Sequence, residues 1–140
     1  MVKFYISSDK GKLDIRRVVD YLLNRSYWAK DRSEQTIRKS IANSFCFGMY
    51  SESGEQVGFA RVVTDLAVFA WLMDVFIFDE HQGKGLGKQL ITGVLSHHEF
   101  EEINKWGLGT KDAHEFYKKF GFTSLSRPEV MMERVCKLNQ

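Results

Sequence analysis

The segment Gln82-Gly83-Lys84-Gly85-Leu86-Gly87-Lys88 sits between two contrasting patterns. Before it, residues 68 to 78 are almost wholly apolar and rich in aromatic and β-branched types, as expected of a central strand covered on both faces. After it, Leu86, Leu90, Ile91, Val94 and Leu95 recur at helical spacing. A glycine-rich turn between a buried strand and a helix has a physical use. Glycines let the backbone approach a ligand and turn its N–H groups inward, and the helix adds its positive N-terminal dipole. The segment is therefore read as an anion-holding loop, to which a helix terminus contributes roughly 0.3 to 2 kcal/mol.

Two familiar phosphate loops do not fit. A nucleoside-triphosphate loop ending at Gly87-Lys88 needs glycine at Gln82 and Ser or Thr at Gln89. A dinucleotide fingerprint needs glycine at Lys88 or at Leu90, depending on where it starts. The pattern that does fit is Gln/Arg-x-x-Gly-x-Gly/Ala, met by Gln82, Gly85 and Gly87. Here the chain resembles the GCN5-related N-acetyltransferase (GNAT) superfamily, whose loop holds the coenzyme A pyrophosphate through backbone amides. A second stretch, Ala113-His114-Glu115-Phe116-Tyr117-Lys118-Lys119-Phe120-Gly121-Phe122, resembles that family's Ala-x-x-Phe/Leu-Tyr-x-x-x-Gly-Phe signature.

The resemblance implies a GNAT fold: an α/β domain with a mixed, mostly antiparallel sheet, helices on both faces and a splayed central strand pair. It implies acetyl transfer from acetyl-CoA to an amine by direct attack, with no metal. Residues 82 to 88 (Gln82, Gly83, Lys84, Gly85, Leu86, Gly87, Lys88) would hold the pyrophosphate, and the backbone of Val75, Phe76 and Ile77 would meet the pantetheine. Tyr117 would be the general acid that protonates the leaving thiolate. Thr110 stands where many members carry Asn, so it is read as a cofactor contact or as a helix cap. An acyl-CoA-binding module without turnover is the alternative, against which the retained Tyr117 counts.

The amine must lose a proton before attacking. Asp74, a carboxylate inside an apolar strand, is the candidate base, with a pKa expected to be raised by desolvation; a buried structural role is the competing reading. Tyr27, Trp28 and Arg32 form an aromatic and cationic cluster suited to the acceptor, and Arg61 and Asp65 lie at the end of a neighbouring strand. An amine would favour Asp65 and the aromatic faces, whereas an acceptor carboxylate would favour Arg32. His81 and His114 read as surface or loop residues.

Working outward, residues 2 to 6 suit an edge strand. Ile15, Val18, Val19, Leu22 and Leu23 mark a helix, and Ser33 caps a second over residues 34 to 43. Phe45 to Tyr50 and Gln56 to Val63 form a hairpin across Glu52-Ser53-Gly54-Glu55. Trp106 to Leu108 is a short strand, Ala113 to Phe120 a helix closed by Gly121, and residues 130 to 137 a final strand. Such sheets bind ligands at the C-terminal ends of their central strands.

The 140 residues are read as one domain, 1–140, able to bury a core without disulfides or metal. Cys46 and Cys136 lie in strand-like runs and are expected to be buried free thiols. The 20 basic and 18 acidic side chains are interspersed, which argues against a nucleic-acid partner. Asp74 interrupts the longest apolar run far short of the ~20 residues of a membrane span, and no signal peptide is evident. A cytoplasmic enzyme acting on a small-molecule or peptide amine is expected. Oligomeric state, a homodimer included, is left open.

Overall fold

In the computed structural model, which describes residues 3–136, the apolar run before the glycine-rich loop forms a strand over Phe69–Ile77. It is β4 of a five-stranded sheet completed by β1 (Phe4–Ser7), β2 (Phe45–Ser51), β3 (Gln56–Thr64) and β5 (Lys105–Leu108), in the order β1-β2-β3-β4-β5. The first three pairings are antiparallel, and β4 with β5 is parallel. The expected hairpin joins β2 to β3. Its turn is held by the Ser51 and Gly54 N–H groups, which donate to the Glu55 and Ser51 carbonyls.

Helix α1 (Ile15–Asn24) is capped by the Asp14 carboxylate and α2 (Glu34–Ala42) by the Ser33 hydroxyl. Val18, Val19 and Leu22 of α1 and Ile37 and Ile41 of α2 pack with Cys46, Phe59, Phe76 and Phe78 on one face of the sheet. Burying each such side chain contributes about 1.5 to 3 kcal/mol. Helix α3 (Leu86–Leu95) covers the opposite face. Its Gly93 lies against Ile6, the partner of Met49, and Met49 points away from the side that Cys46 faces because strand side chains alternate.

Two irregularities in β4 matter. Strand β5 pairs only with Phe69, Ala70, Trp71 and Leu72, so residues 73–77 have β3 on one side and no β5 partner on the other. This is the splay. The β3–β4 register also slips: Phe59 faces Phe76 but Arg61 faces Met73, so two steps on β3 match three on β4. The extra residue is a β-bulge that contains Asp74, whose φ is 53°. Aspartate is one of the few side chains that tolerates this left-handed region.

The chain divides into two compact units, the first ending at Gly109 and the second beginning at Thr110. In the second unit, α4 covers His114–Lys118, shorter than the span expected, and Gly121 follows with a φ of 92°. The final strand expected over residues 130 to 137 is not formed by its described part. Pro128–Val130 is a single 3₁₀ turn and residues 131–136 have no regular structure; residue 137 lies outside the described residues. Apolar composition cannot make a strand without a neighbouring edge to take up its N–H and C=O groups. Met132 and Val135 are accordingly exposed.

The expectation of two buried thiols is corrected for the same reason, since Cys46 is buried and Cys136 exposed. Burial pushes the Cys46 thiol up to about 11. Native protein at pH 8 should therefore take up one equivalent of iodoacetamide, at Cys136, and a second only after denaturation, as read by intact-protein mass.

Candidate active site

The loop between β4 and α3 is shaped by two left-handed glycines, Gly83 with φ 80° and Gly85 with φ 78°. A Cβ at either position would meet open space rather than protein, so backbone conformation and not crowding demands glycine there. Gly85 is the N-cap of α3 and offers no capping side chain, which leaves the first-turn N–H groups of Leu86, Gly87 and Lys88 without intrahelical acceptors. Among the described residues, the N–H groups of Gly83, Lys84 and Gly85 have no protein acceptor either. Lys84 and Lys88 are exposed beside them. Leu86 contributes only its N–H, since its side chain is buried in the core.

Gln82 ties this cradle to the strand. Its Nε2 donates to the Ile77 carbonyl at 2.8 Å and to the Asp79 carboxylate at 3.1 Å. One lone pair of the Ile77 carbonyl is thereby committed within the protein. The cradle follows the splayed stretch of β4 after one 3₁₀ turn, and Gln82 ties the two together, so a diphosphate and an extended chain attached to it could lie end to end along this edge.

At the other end of that stretch, Asp74 collects four hydrogen bonds. Trp28 Nε1 donates to Oδ1 at 2.7 Å and Arg61 Nε to Oδ2 at 2.8 Å, while Arg32 Nη1 donates to both oxygens at 3.1 Å. The carboxylate side chain is 1% exposed. Burial pushes its pKa upward, but the charges and hydrogen bonds of Arg61 and Arg32 outweigh burial and hold it below the ordinary aspartate value. The expectation of an Asp74 base with a raised pKa is thus corrected: both oxygens are occupied by donors and the group favours its charged form. Asp74 thus joins the α1–α2 link and β3 to the bulge.

Arg61 had a readable signal. It is a lone cation in the apolar run from Val57 to Val63, just as Asp74 is a lone anion in the next strand. Opposite charges in adjacent buried strands are expected to find each other. The positive φ of Asp74 had no such signal.

The remaining candidates are dispersed. Tyr27 stacks edge-on against Trp28, with ring centroids 5.2 Å apart, so it belongs to the same link. Asp65 does not join this cluster: it lies beyond the N-terminal end of β4, where its Oδ1 accepts the N–H groups of Ala67, Val68 and Phe69. Those bonds lower its pKa and shape the turn before β4. In the second unit, the Thr110 hydroxyl accepts the Ala113 N–H at 3.1 Å, but Ala113 is itself the N-cap of α4 and the helix has no side-chain cap, so Thr110 does not cap it; half-buried Tyr117 contacts Phe116 and Phe122. His81, expected at the surface, has ring nitrogens shielded from solvent. With Glu55 and Glu80 it forms a trio whose ligand atoms lie within 4.8 Å, although Glu80 is already paired with Arg17 at 3.3 Å. Among the described residues, no helix is long and apolar enough to cross a membrane.

Comparison with known proteins adds a family. Residues 42–124 match the acetyltransferase (GNAT) domain model. A candidate acetyltransferase of Gibberella zeae is 29% identical over 84% of this chain and 78% of its own. An uncharacterised N-acetyltransferase of Gracilaria tenuistipitata is 32% identical over 68% of this chain and 54% of its own. The crystal structure of a candidate GNAT-family acetyltransferase from Xanthomonas campestris superposes with a TM-score of 0.91 at 38% identity, covering 97% of this chain and 95% of that one.

Removing one partner of a buried ion pair leaves the other charge uncompensated, at a cost of about 3 to 5 kcal/mol. Asp74→Asn should therefore lower the urea unfolding midpoint by a corresponding amount at neutral pH. Because the folded pKa of Asp74 is depressed, its contribution is complete above the unfolded value of ~3.9 and is lost as pH falls through the folded value. The stability gap between wild type and variant should narrow over that acid range and be constant from pH 6 to 8.

Proposed function

The chain belongs to the GNAT acetyltransferase family, and from that premise we propose that it moves an acetyl group from acetyl-CoA to an amine by direct attack. The observation that carries this reading is a cradle of unpaired N–H groups at residues 83–88, a few residues after a strand edge that β5 leaves uncovered. The co-substrate fits that observation chemically. A diphosphate needs several converging N–H donors and a positive helix end, and the pantetheine amides need an exposed strand edge for pairing.

Bound there, acetyl-CoA would supply an activated thioester carbonyl and a thiolate leaving group. Backbone N–H groups of Val75 and its neighbours would polarise the carbonyl, an interaction worth roughly 3 to 4 kcal/mol in comparable sites. As the amine nitrogen bonds to the carbonyl carbon, the C–S bond breaks. Tyr117, assigned from its match to the family's second signature, gives its phenolic proton to the thiolate. With Asp74 held ionised by two guanidiniums, the amine's proton leaves through water. Trp28, Arg32 and Tyr27 are the residues assigned to the acceptor side, because they converge on the bulge where the uncovered edge begins.

Release of free thiol from acetyl-CoA in the presence of a panel of amines tests the reaction. Tyr117→Phe should keep coenzyme A affinity and lose about 10² to 10⁴ in turnover, the size of a general-acid contribution. A variant that turns over at the wild-type rate would remove Tyr117 from the mechanism. Gly85→Val forces a β-branched residue into a left-handed backbone position, which costs about 1 to 3 kcal/mol. Its coenzyme A affinity, measured by calorimetry, should fall tenfold or more.

A further inference from the structure

We propose that the acceptor of this reaction is an amine that also carries an oxyanion, a carboxylate or a phosphate, and that Arg32 receives it; the inference rests on the acetyl-transfer reading. The cluster at the bulge holds two cations, Arg32 and Arg61, and one anion, Asp74, so its formal charge is 2 − 1 = +1. That excess is not evenly placed. The side chains of Asp74 and Arg61 are 1% and 7% exposed, whereas that of Arg32 is 24% exposed. The uncompensated charge therefore reaches solvent through Arg32.

Arg32 also has donors to spare. A guanidinium presents five N–H groups in a planar fork, and Arg32 gives only Nη1 to Asp74. Among the described residues, its Nη2 and Nε have no hydrogen-bond acceptor. A planar edge with free donors and net positive charge matches the geometry of a carboxylate or phosphate. Lys30 and Asp31, on the same link, are exposed and opposite in charge, so they leave the sum unchanged.

The same observations argue against a simple cationic acceptor such as a polyamine. Asp74 is saturated by donors, and Asp65 serves the turn beyond the far end of β4. The rings of Trp28 and Tyr27, both exposed, are placed to flank the carbon skeleton between the amine and the oxyanion. The link itself is fixed by the Trp28 and Arg32 bonds to Asp74, so the oxyanion site stands beside the residues proposed to hold the thioester.

The test compares matched acceptors in the thiol-release assay: phenylalanine against its amide and phenethylamine, and aminoethyl phosphate against ethanolamine. One oxyanion-bearing member should exceed its oxyanion-free counterpart at least tenfold in kcat/KM, and which of the two does so distinguishes carboxylate from phosphate. Arg32→Lys keeps a charge for Asp74 but loses the fork. It should raise KM for the oxyanion acceptor tenfold or more while leaving KM for acetyl-CoA unchanged.

A measurement on wild type needs no variant: 3-phenylpropionate or ethyl phosphate should inhibit competitively against the acceptor and not against acetyl-CoA. Oxyanion-free amines used as well as their oxyanion partners, or no inhibition by either anion, overturns the proposal while leaving acetyl transfer intact. Should no amine release thiol, acetyl transfer is what fails. Calorimetric binding of the amino acid or the aminoalkyl phosphate to the coenzyme A-loaded protein then decides the Arg32 site, and absence of that binding overturns it.

Discussion

A buried carboxylate cannot stand alone in an apolar strand, and the architecture around Asp74 answers that constraint. Two guanidiniums and an indole N–H close on its two oxygens. Arg61 comes from the adjacent strand and Arg32 and Trp28 from the α1–α2 link, so one side chain joins three parts of the chain. Such clusters add little net stability, because desolvating the charges offsets most of their attraction. Their effect is selective: any arrangement that separates the partners strands a buried charge. The bulge, the strand register and the position of the link are therefore set together.

The bulge matters for what lies on either side of it. Before it, β4 is fully paired with β5; after it, the edge is uncovered as far as Ile77. The glycine turn begins a few residues later, anchored back to Ile77 by the Gln82 amide. Rigid pairing on β3 and anchoring at both ends give a preorganised run of backbone donors, which is the kind of surface that polarises a carbonyl without reorganising as it does so. Helix α3 supplies the positive end of the run and is held by the side chains of Leu86, Leu90, Ile91 and Val94, which are buried and need not touch a ligand.

Much of this was legible beforehand. The β2–β3 hairpin followed from apolar runs flanking Glu52-Ser53-Gly54-Glu55, α1 from helical spacing, α2 from helical spacing and its Ser33 cap, and the turn into α3 from its glycines. Local chemistry sufficed in each case. Residues 131–136 misled because strand-like composition says nothing about whether an edge is available to pair with. Asp74 misled because desolvation was weighed without its partners, which lie 13, 42 and 46 positions away along the chain.

The sequence by itself therefore determined most of the elements, the glycine-rich turn ahead of α3 and the family resemblance, since these depend on neighbours within a few residues. The tertiary structure alone decided that β5 abandons β4 at Leu72, that Asp74 adopts a left-handed φ in a bulge, and that its charge is held rather than poised to accept a proton. The physical reason is the range of the forces involved. Turn geometry and helix periodicity act over a handful of residues, whereas register, ion pairing and pKa depend on what folding brings across tens of residues to within about 3 Å, the length of a hydrogen bond.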